Sequence, residues 1–297
     1  MNHLGFKYPL NKIEKKDLLF HAQRNMSAVP IYRLEGGILE AVVISRPALS
    51  PKSPYLADIM INDVPAIAHT PALGCNGIVS AGRRVLVSPR SGDGCSKYTI
   101  YCGIDDDDGS IIGIHPTISN VIVSNIITRG LILPDITGLR NEVTEGDCRF
   151  DFAALDNGHN VFIEVKNVPI ADVVDCKPRA RNMFLQLLEG LSGSGNSHKK
   201  MAIFPHGDKR QEGTVSLRAL KHIETLRGIV LRGNKERGIM IYLTQRTDCD
   251  TIKISELDAT YRTAVFAAKD AGVEIIGISV QWHRDGSVHF GRLIDVI

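Results

Sequence analysis

Residues 149–168, RFDFAALDNGHNVFIEVKNV, constrain the fold of this chain more than any other stretch. Apolar residues alternate on both sides of Asp156-Asn157-Gly158: Phe150 and Phe152 flank Asp151, and Val161, Ile163 and Val165 alternate around Glu164. Asn-Gly between two period-two runs predicts a tight β-hairpin. Successive side chains on a strand point to opposite faces, so Glu164 and Lys166 share a face opposite Val165. A matching register brings Asp151 to that face, gathering two carboxylates and an ammonium at a sheet edge. A metal-dependent phosphodiesterase needs that layout.

The chain has 297 residues, enough for two domains, and a formal charge of +2, which rules out a polybasic protein. Any affinity for nucleic acid must come from local charge. Cys75, Cys95, Cys102, Cys148, Cys176 and Cys249 form no CxxC pair and no Cys/His metal spacing, which suits a reducing compartment. The first thirty residues lack the apolar run of a signal peptide, and no later run is long enough to span a bilayer. These features predict an intracellular, soluble protein with no membrane partner, and they leave a homo-oligomer open.

Along the chain, residues 1–35 read as an N-terminal extension. Short β-rich runs follow at 38–45, 55–61, 65–70, 83–89 and 97–104, punctuated by Pro and Gly clusters. Five such strands suit a small OB-like barrel over residues 36–112. The acidic run 105–108 lacks a framework of spaced ligands and reads as a solvated turn between units. Residues 113–297 then form a second domain. Ile118, Val121, Ile122, Asn125 and Ile126 repeat at helical spacing, with Thr117 as N-cap and Gly130 as stop. Helices are expected near 179–190, 215–231 and 255–272, a flexible stretch at 192–195, and strands at 237–245 and 273–282. Strands followed by alternating helices and strands describe an α/β sheet with helices on its faces.

Hydrolysing a phosphodiester requires neutralising phosphate charge and activating water, and Mg or Mn held by carboxylates does both. Asp151, Glu164 and the backbone carbonyl of Val165 are the candidate metal ligands. Lys166 would stabilise developing negative charge, and Glu142 would add a carboxylate. The bare D-x(n)-E-x-K pattern is common on wet strand faces, where Glu164 and Lys166 would simply pair with each other. Between 176 and 237 basic residues outnumber acidic ones, and Arg218, Lys221 and His222 share a helix face, so nucleic acid is the favoured partner. His69, His115 and His159 have no metal-binding companions in sequence. No Walker A, G-x-G-x-x-G or G-x-S-x-G pattern is present.

Several separated blocks in the same order resemble the sugar fermentation stimulation protein A family. YLADI at 55–59 is similar to its FLA-[DE]-V run, and HTPALG at 69–74 to its H-x-P-N-[ST]-G segment. NEV, RFDF and FIEVKNV are similar to its S-E-V, R-x-D-F and E-V-K-[SN]-V blocks. SLRALKH at 216–222, YLTQRTD at 242–248 and the segment 258–275 match further blocks. The resemblance implies an OB-like barrel followed by a PD-(D/E)xK nuclease-like mixed sheet flanked by helices. It also implies DNA, rather than RNA, as partner and a nuclease-like site at Glu142, Asp151, Glu164 and Lys166. Arg218, Lys221, His222, Gln245 and Arg246 would be supporting nucleic-acid-binding positions. Ala72 and Leu73 replace the family's Asn-[ST] pair, the insertion around 179–209 is long, and the N-terminal 35 residues have no counterpart. Two functions remain open at this point. One is a Mg- or Mn-dependent nuclease; the other is a DNA-binding regulator that does not cut.

Overall fold

The structure is a computed structural model that describes residues 29–71, 77–106, 108–177, 180–192, 199–206 and 214–297. Residues 1–28 of the extension, Ala72 and Leu73, the basic residues Arg179, Lys209 and Arg210, and most of the 192–195 stretch lie outside these.

After a two-residue strand β1 (Tyr32–Arg33), the chain builds a small barrel from β2 (Leu39–Ser45), β3 (Leu56–Ile61), β4 (Val64–His69), β5 (Arg84–Pro89) and β6 (Tyr98–Ile104). The strand order is β4-β3-β2-β5-β6. Parallel pairing of β4 with β6, Ala68 opposite Tyr98 and His69 opposite Thr99, closes it. Alternation on β2 turns Ala41 and Val43 inward and leaves Glu40, Val42 and Ile44 exposed. They meet Ile59, Val85, Val87, Ile100 and Ile112 in the barrel core. At the β3–β4 turn Asn62 and Asp63 have φ of 48° and 61°, the left-handed pair that a two-residue hairpin turn demands. A short β7 (Ile111–Gly113) pairs with β6 and leads out of the barrel.

Helix α1 (Pro116–Thr128) comes next. Its N-cap is His115 rather than the expected Thr117, because Pro116 takes the first helical position, where its missing N–H is not needed. The buried stripe is Ile118, Ile122, Val123, Ile126 and Ile127, whereas Val121 faces out. Gly130, at φ 66°, ends the turn as expected.

The larger sheet holds β8 (Ile136–Glu145), β9 (Cys148–Asp156), β10 (His159–Asn167), β11 (Ala171–Asp172), β12 (Lys200–Phe204), β13 (Arg237–Thr244), β14 (Cys249–Ile254), β15 (Glu274–Trp282) and β16 (Ser287–Val296). Their order is β11-β12-β14-β16-β15-β13-β10-β9-β8, with β10, β13 and β15 parallel neighbours. Helices α2 (Arg181–Ser192), α3 (Leu217–Leu231) and α4 (Ala259–Asp270) complete the described elements. Two cores sandwich the central strands. On one face Ile122 and Ile126 of α1 meet Val161, Ile163, Ile239 and Ile241; on the other, Ile223 and Leu226 of α3 and Val265 of α4 meet Phe162 and Met240. Burial on both faces explains why β10 and β13 are so apolar.

The expected OB-like barrel followed by a mixed sheet flanked by helices is therefore the fold. The two units share more than a linker. Leu86, Cys102 and Ile104 of the barrel join Ile31, Leu34, Trp282 and Val288 in one core cluster, and β1 pairs with β16. At the junction Gly113 donates its N–H to Gln245 O at 2.9 Å. A Cβ there would fall 2.2 Å from Trp282 Nε1, so only glycine allows this approach. No described helix is long and apolar enough to cross a membrane.

Candidate metal centre and its surroundings

The hairpin of β9 and β10 forms in the expected register, from His159 opposite Asp156 to Ile163 opposite Phe152, and there the ladder stops. Continued by one pair, it would set Glu164 across from Asp151. On the other side, β8 pairs Asn141 with Phe152 and Val143 with Phe150 and skips the intervening Glu142–Asp151 pair. Phe150 and Phe152, which strict alternation assigns to one face, lie in the two opposite cores. Alternation thus breaks at Asp151, and the expectation of one shared face is corrected. The Asp151 carboxylate instead enters the gap between strands, where Oδ2 accepts the Val165 N–H at 2.8 Å and Oδ1 accepts Asn120 Nδ2 of α1 at 2.8 Å. Burial and the neighbouring Glu164 charge raise its pKa above the usual value, against the pull of these hydrogen bonds and Lys166.

Glu164 is 2% exposed. Its Oε1 accepts very short bonds from Lys166 Nζ and His222 Nδ1, which are themselves 3.5 Å apart. Its Oε2 is buried without a hydrogen-bond partner among the described residues. Burial alone would raise the Glu164 pKa, but His222 and Lys166 outweigh it and hold the carboxyl below its usual value. Two adjacent carboxyls are thereby pushed in opposite directions, a frequent signature of working sites. An unpartnered buried carboxylate oxygen costs about 1–3 kcal/mol. A hard cation would remove that cost, and the donor set suits one: Glu164 Oε2, the Asp151 carboxylate and the Val165 carbonyl, which points to the same side of its strand as the N–H that Asp151 accepts.

The other sequence-selected residues divide. Glu142 sits across from Asp151, but its side chain is exposed and pairs with Arg149; at φ 52° its backbone is left-handed, which is uncommon for a residue with a Cβ. Arg218 is exposed on α3, with no bond to another described residue. Lys221 reaches Asp147 O at 2.8 Å. Three positions assigned to nucleic acid are buried instead. His222 is held on Glu164, with its ring 5.8 Å from that of Phe150. Gln245 donates to Ser119 Oγ and Asn167 Oδ1, both at 3.0 Å, and accepts from Trp282 Nε1 at 2.8 Å. Arg246 grips Asp248 through both carboxylate oxygens at 2.6 and 2.5 Å and donates to Pro169 O at 3.0 Å. His222, Gln245 and Arg246 are held by bonds to the chain itself, and Arg246 also lines a cavity with Asp105, Asp172 and Lys200.

The basic stretch is also more neutralised than its composition suggests. Arg181 pairs with Asp172, Lys199 with Asp250, Arg232 with Glu145, and Arg237 with Asp156 and Glu274. The acidic run is not simply solvated either. Asp105, Asp108 and Asp248 bring ligand atoms within 4.8 Å of one another. Lys200 Nζ sits among them, 2.8 Å from Asp105 and 3.2 Å from Asp248, so a cation of the chain's own already meets their charge.

Sequence reasoning missed Asn120 and gave no sign that His222 is buried against Glu164. Asn120 lies in a helix that also carries Ser119, Ser124 and Asn125, so its polarity alone does not single it out. Its partner is 31 residues away, so no local signal marked it.

Comparison with known proteins agrees with this architecture. The family model described as sugar fermentation stimulation protein RE domain matches residues 117–181 and 195–286. A sugar fermentation stimulation protein homolog of Thioalkalivibrio sulfidiphilus is 30% identical over 82% of this chain and 90% of its own length. One from Brucella anthropi is 31% identical over 82% and 92%. Among solved structures, Pyrococcus furiosus SfsA in complex with Ca2+ has the same fold, with a TM-score of 0.68 and 16% identity over 91% of this chain and 99% of that one.

Proposed function

The chain belongs to the sugar fermentation stimulation protein family, and from that premise we propose that it is a DNA-binding protein with a divalent-metal-dependent, nuclease-like site. The observation that carries the reading is Glu164 Oε2, a carboxylate oxygen buried without a partner among the described residues, beside Asp151 and Lys166. A buried carboxylate oxygen of this kind calls for a completing water or ion, and the Asp151 carboxylate beside it favours the ion. Asp151, Glu164 and the Val165 carbonyl would hold Mg or Mn. The Ca2+ in the Pyrococcus relative supports an oxygen-ligand site for a hard cation. Bound there, the metal would supply charge to a phosphate and lower the pKa of a water.

The chain's own residues would do the rest. Asn120 fixes the Asp151 carboxylate by donating to one oxygen, and the Val165 N–H fixes the other. Lys166, mostly buried beside Glu164, would present its ammonium to the scissile phosphate. Arg218 and Arg227, exposed and unpaired among the described residues on opposite flanks of α3, would contact the phosphate backbone, with Lys221 one turn from Arg218. On this reading the domains are residues 36–112 and 113–297, with 1–35 as an extension.

Incubation with plasmid, single-stranded DNA and RNA in Mg2+ or Mn2+ tests the proposal. Cleavage by the wild type and none by Lys166→Ala is the expected result; no cleavage above that variant would remove the hydrolytic part. The second reading, a DNA-binding regulator that does not cut, is favoured by Lys166 being committed to Glu164. It predicts salt-sensitive binding that survives Lys166→Ala.

A further inference from the structure

Taking Asp151 and Glu164 as the cation site proposed above, we infer that His222 is the positioning residue that fixes the Glu164 carboxylate so that Lys166 can leave it. Lys166 and His222 both bond Oε1, while Oε2 has no partner among the described residues. Two donors crowd one oxygen of a carboxylate that has a second one to offer. A side chain free to rotate would share them between both oxygens.

The asymmetry has a structural origin. His222 lies on α3 at 4% exposure, its ring beside Phe150, and α3 is anchored by Ser216 Oγ accepting the Ala219 N–H at 3.2 Å. The imidazole therefore approaches Glu164 from a fixed direction. Lys166 approaches on a flexible four-carbon stem from the same strand, two residues away, and keeps 12% of its side chain exposed.

A divalent cation on Oε2 would repel the Lys166 ammonium and neutralise the charge that holds it. The lysine then turns toward the open side. The His222 Nδ1–H bond remains, because it uses the oxygen that the cation does not take. Oε1 is thus the orienting oxygen and Oε2 the binding oxygen. His222 works through Glu164, and Lys166 is stored on the carboxylate until the cation arrives.

Calorimetric titration of the full chain with Mn2+, without nucleic acid, tests this. His222→Ala should weaken Mn2+ binding about 10- to 100-fold, the usual effect of removing a ligand's hydrogen-bond partner. His222→Asn carries an N–H where Nδ1 stood and should restore most of the affinity, whereas His222→Gln places its amide near the Nε2 position and should not. Lys166→Met should bind Mn2+ more tightly than wild type, because the competing ammonium is gone. Thermal unfolding in EDTA monitors folding, and if His222→Ala does not fold, the Asn–Gln contrast decides.

Equal Mn2+ affinity in wild type and His222→Ala, or equal losses in the Asn and Gln variants, would overturn the role of His222. Weaker binding by Lys166→Met would overturn the release of the lysine. If wild type and Glu164→Gln bind Mn2+ alike, or neither binds it, the cation site itself fails and this role falls with it.

Discussion

Asp151 accepts the backbone N–H of Val165 at 2.8 Å, at the point where strands β9 and β10 stop pairing. A side chain has taken the place of a ladder partner. The carboxylate is thereby held in a partly buried gap between two strands, where its ionised form is disfavoured.

Asp151→Asn should gain stability relative to wild type as pH rises in the metal-free protein. The variant's single amide oxygen replaces only one of the two carboxylate acceptors and so costs a hydrogen bond at every pH. The folded-state pKa of Asp151 lies above its usual 3.8, so the folded protein binds this proton more tightly than the unfolded chain does. Stability is therefore lost as pH rises from about 3.8 through the raised pKa, and the loss persists above it. The variant escapes that loss, so the difference from wild type should move in its favour with pH across this window. Thermal melts in EDTA from pH 3.5 to 7 measure it, and Mn2+ should stabilise the wild type but not the variant.

Glu164→Gln should act in the opposite sense. The Glu164 pKa is held below its usual 4.5, so its contribution is present above pH 4.5 and lost as pH falls through the folded pKa. Removing the charge leaves the Lys166 ammonium without its counter-ion in a site of low exposure. Loss of one partner from a buried pair costs about 3 kcal/mol or more. Urea unfolding at pH 7 should show that loss, narrowing toward pH 4.

Arg246→Ala tests whether a residue that the family resemblance attaches to nucleic acid acts through the fold instead. Asp248 would lose a two-pronged partner and remain largely buried near Asp105. Lys200, 3.2 Å from Asp248, still meets part of that charge, so destabilisation by about 1–3 kcal/mol is expected. The DNA affinity of the fraction that stays folded, measured by anisotropy, should match wild type.

Arg218→Ala and Arg227→Ala should leave stability within about 0.5 kcal/mol, as exposed substitutions usually do. Each should weaken DNA binding uniformly across sequences and reduce the slope of log K against log salt by about 1. Titrations at several salt concentrations give the slope. Unchanged slopes would place the DNA path elsewhere on the surface.

Much of this site was legible in sequence because its determinants are local. Asn157 and Gly158, with φ of 48° and 83°, make the turn that their identities predict, and the alternation in residues 159–165 sets the register. The expected helices at 215–231 and 255–272 and strands at 237–245 and 273–282 lie within a few residues of the observed ones for the same reason, whereas the strands Cys249–Ile254 and Ser287–Val296 went unread. The break in alternation at Asp151 was not, because it depends on a helix 31 residues away and on a left-handed residue in the neighbouring strand. Likewise Gln245 and His222 carry polar side chains that look exposed in sequence. Their burial follows from partners 37 and 58 residues distant, Trp282 and Glu164. Lys200 and Asp105, 95 positions apart, meet only because β12 lies beside the exit from the barrel. Local pattern thus gives the elements, while the charges that matter are sorted by contacts between elements.

The pairing of β1 with β16 has a consequence for how the molecule can be taken apart. Arg33 and Asp285 at its end are 252 positions apart, and Ile31 and Leu34 on either side of β1 insert into the core beneath Trp282 and Val288. The barrel is therefore a loop whose two ends are both stitched to the larger sheet. Cutting it away at residue 110 would leave an apolar wound and remove a strand. A fragment beginning there would report on lost folding rather than lost binding. The seam also closes over a long separation in sequence, so it should be among the slower contacts to form and an early place for the structure to open.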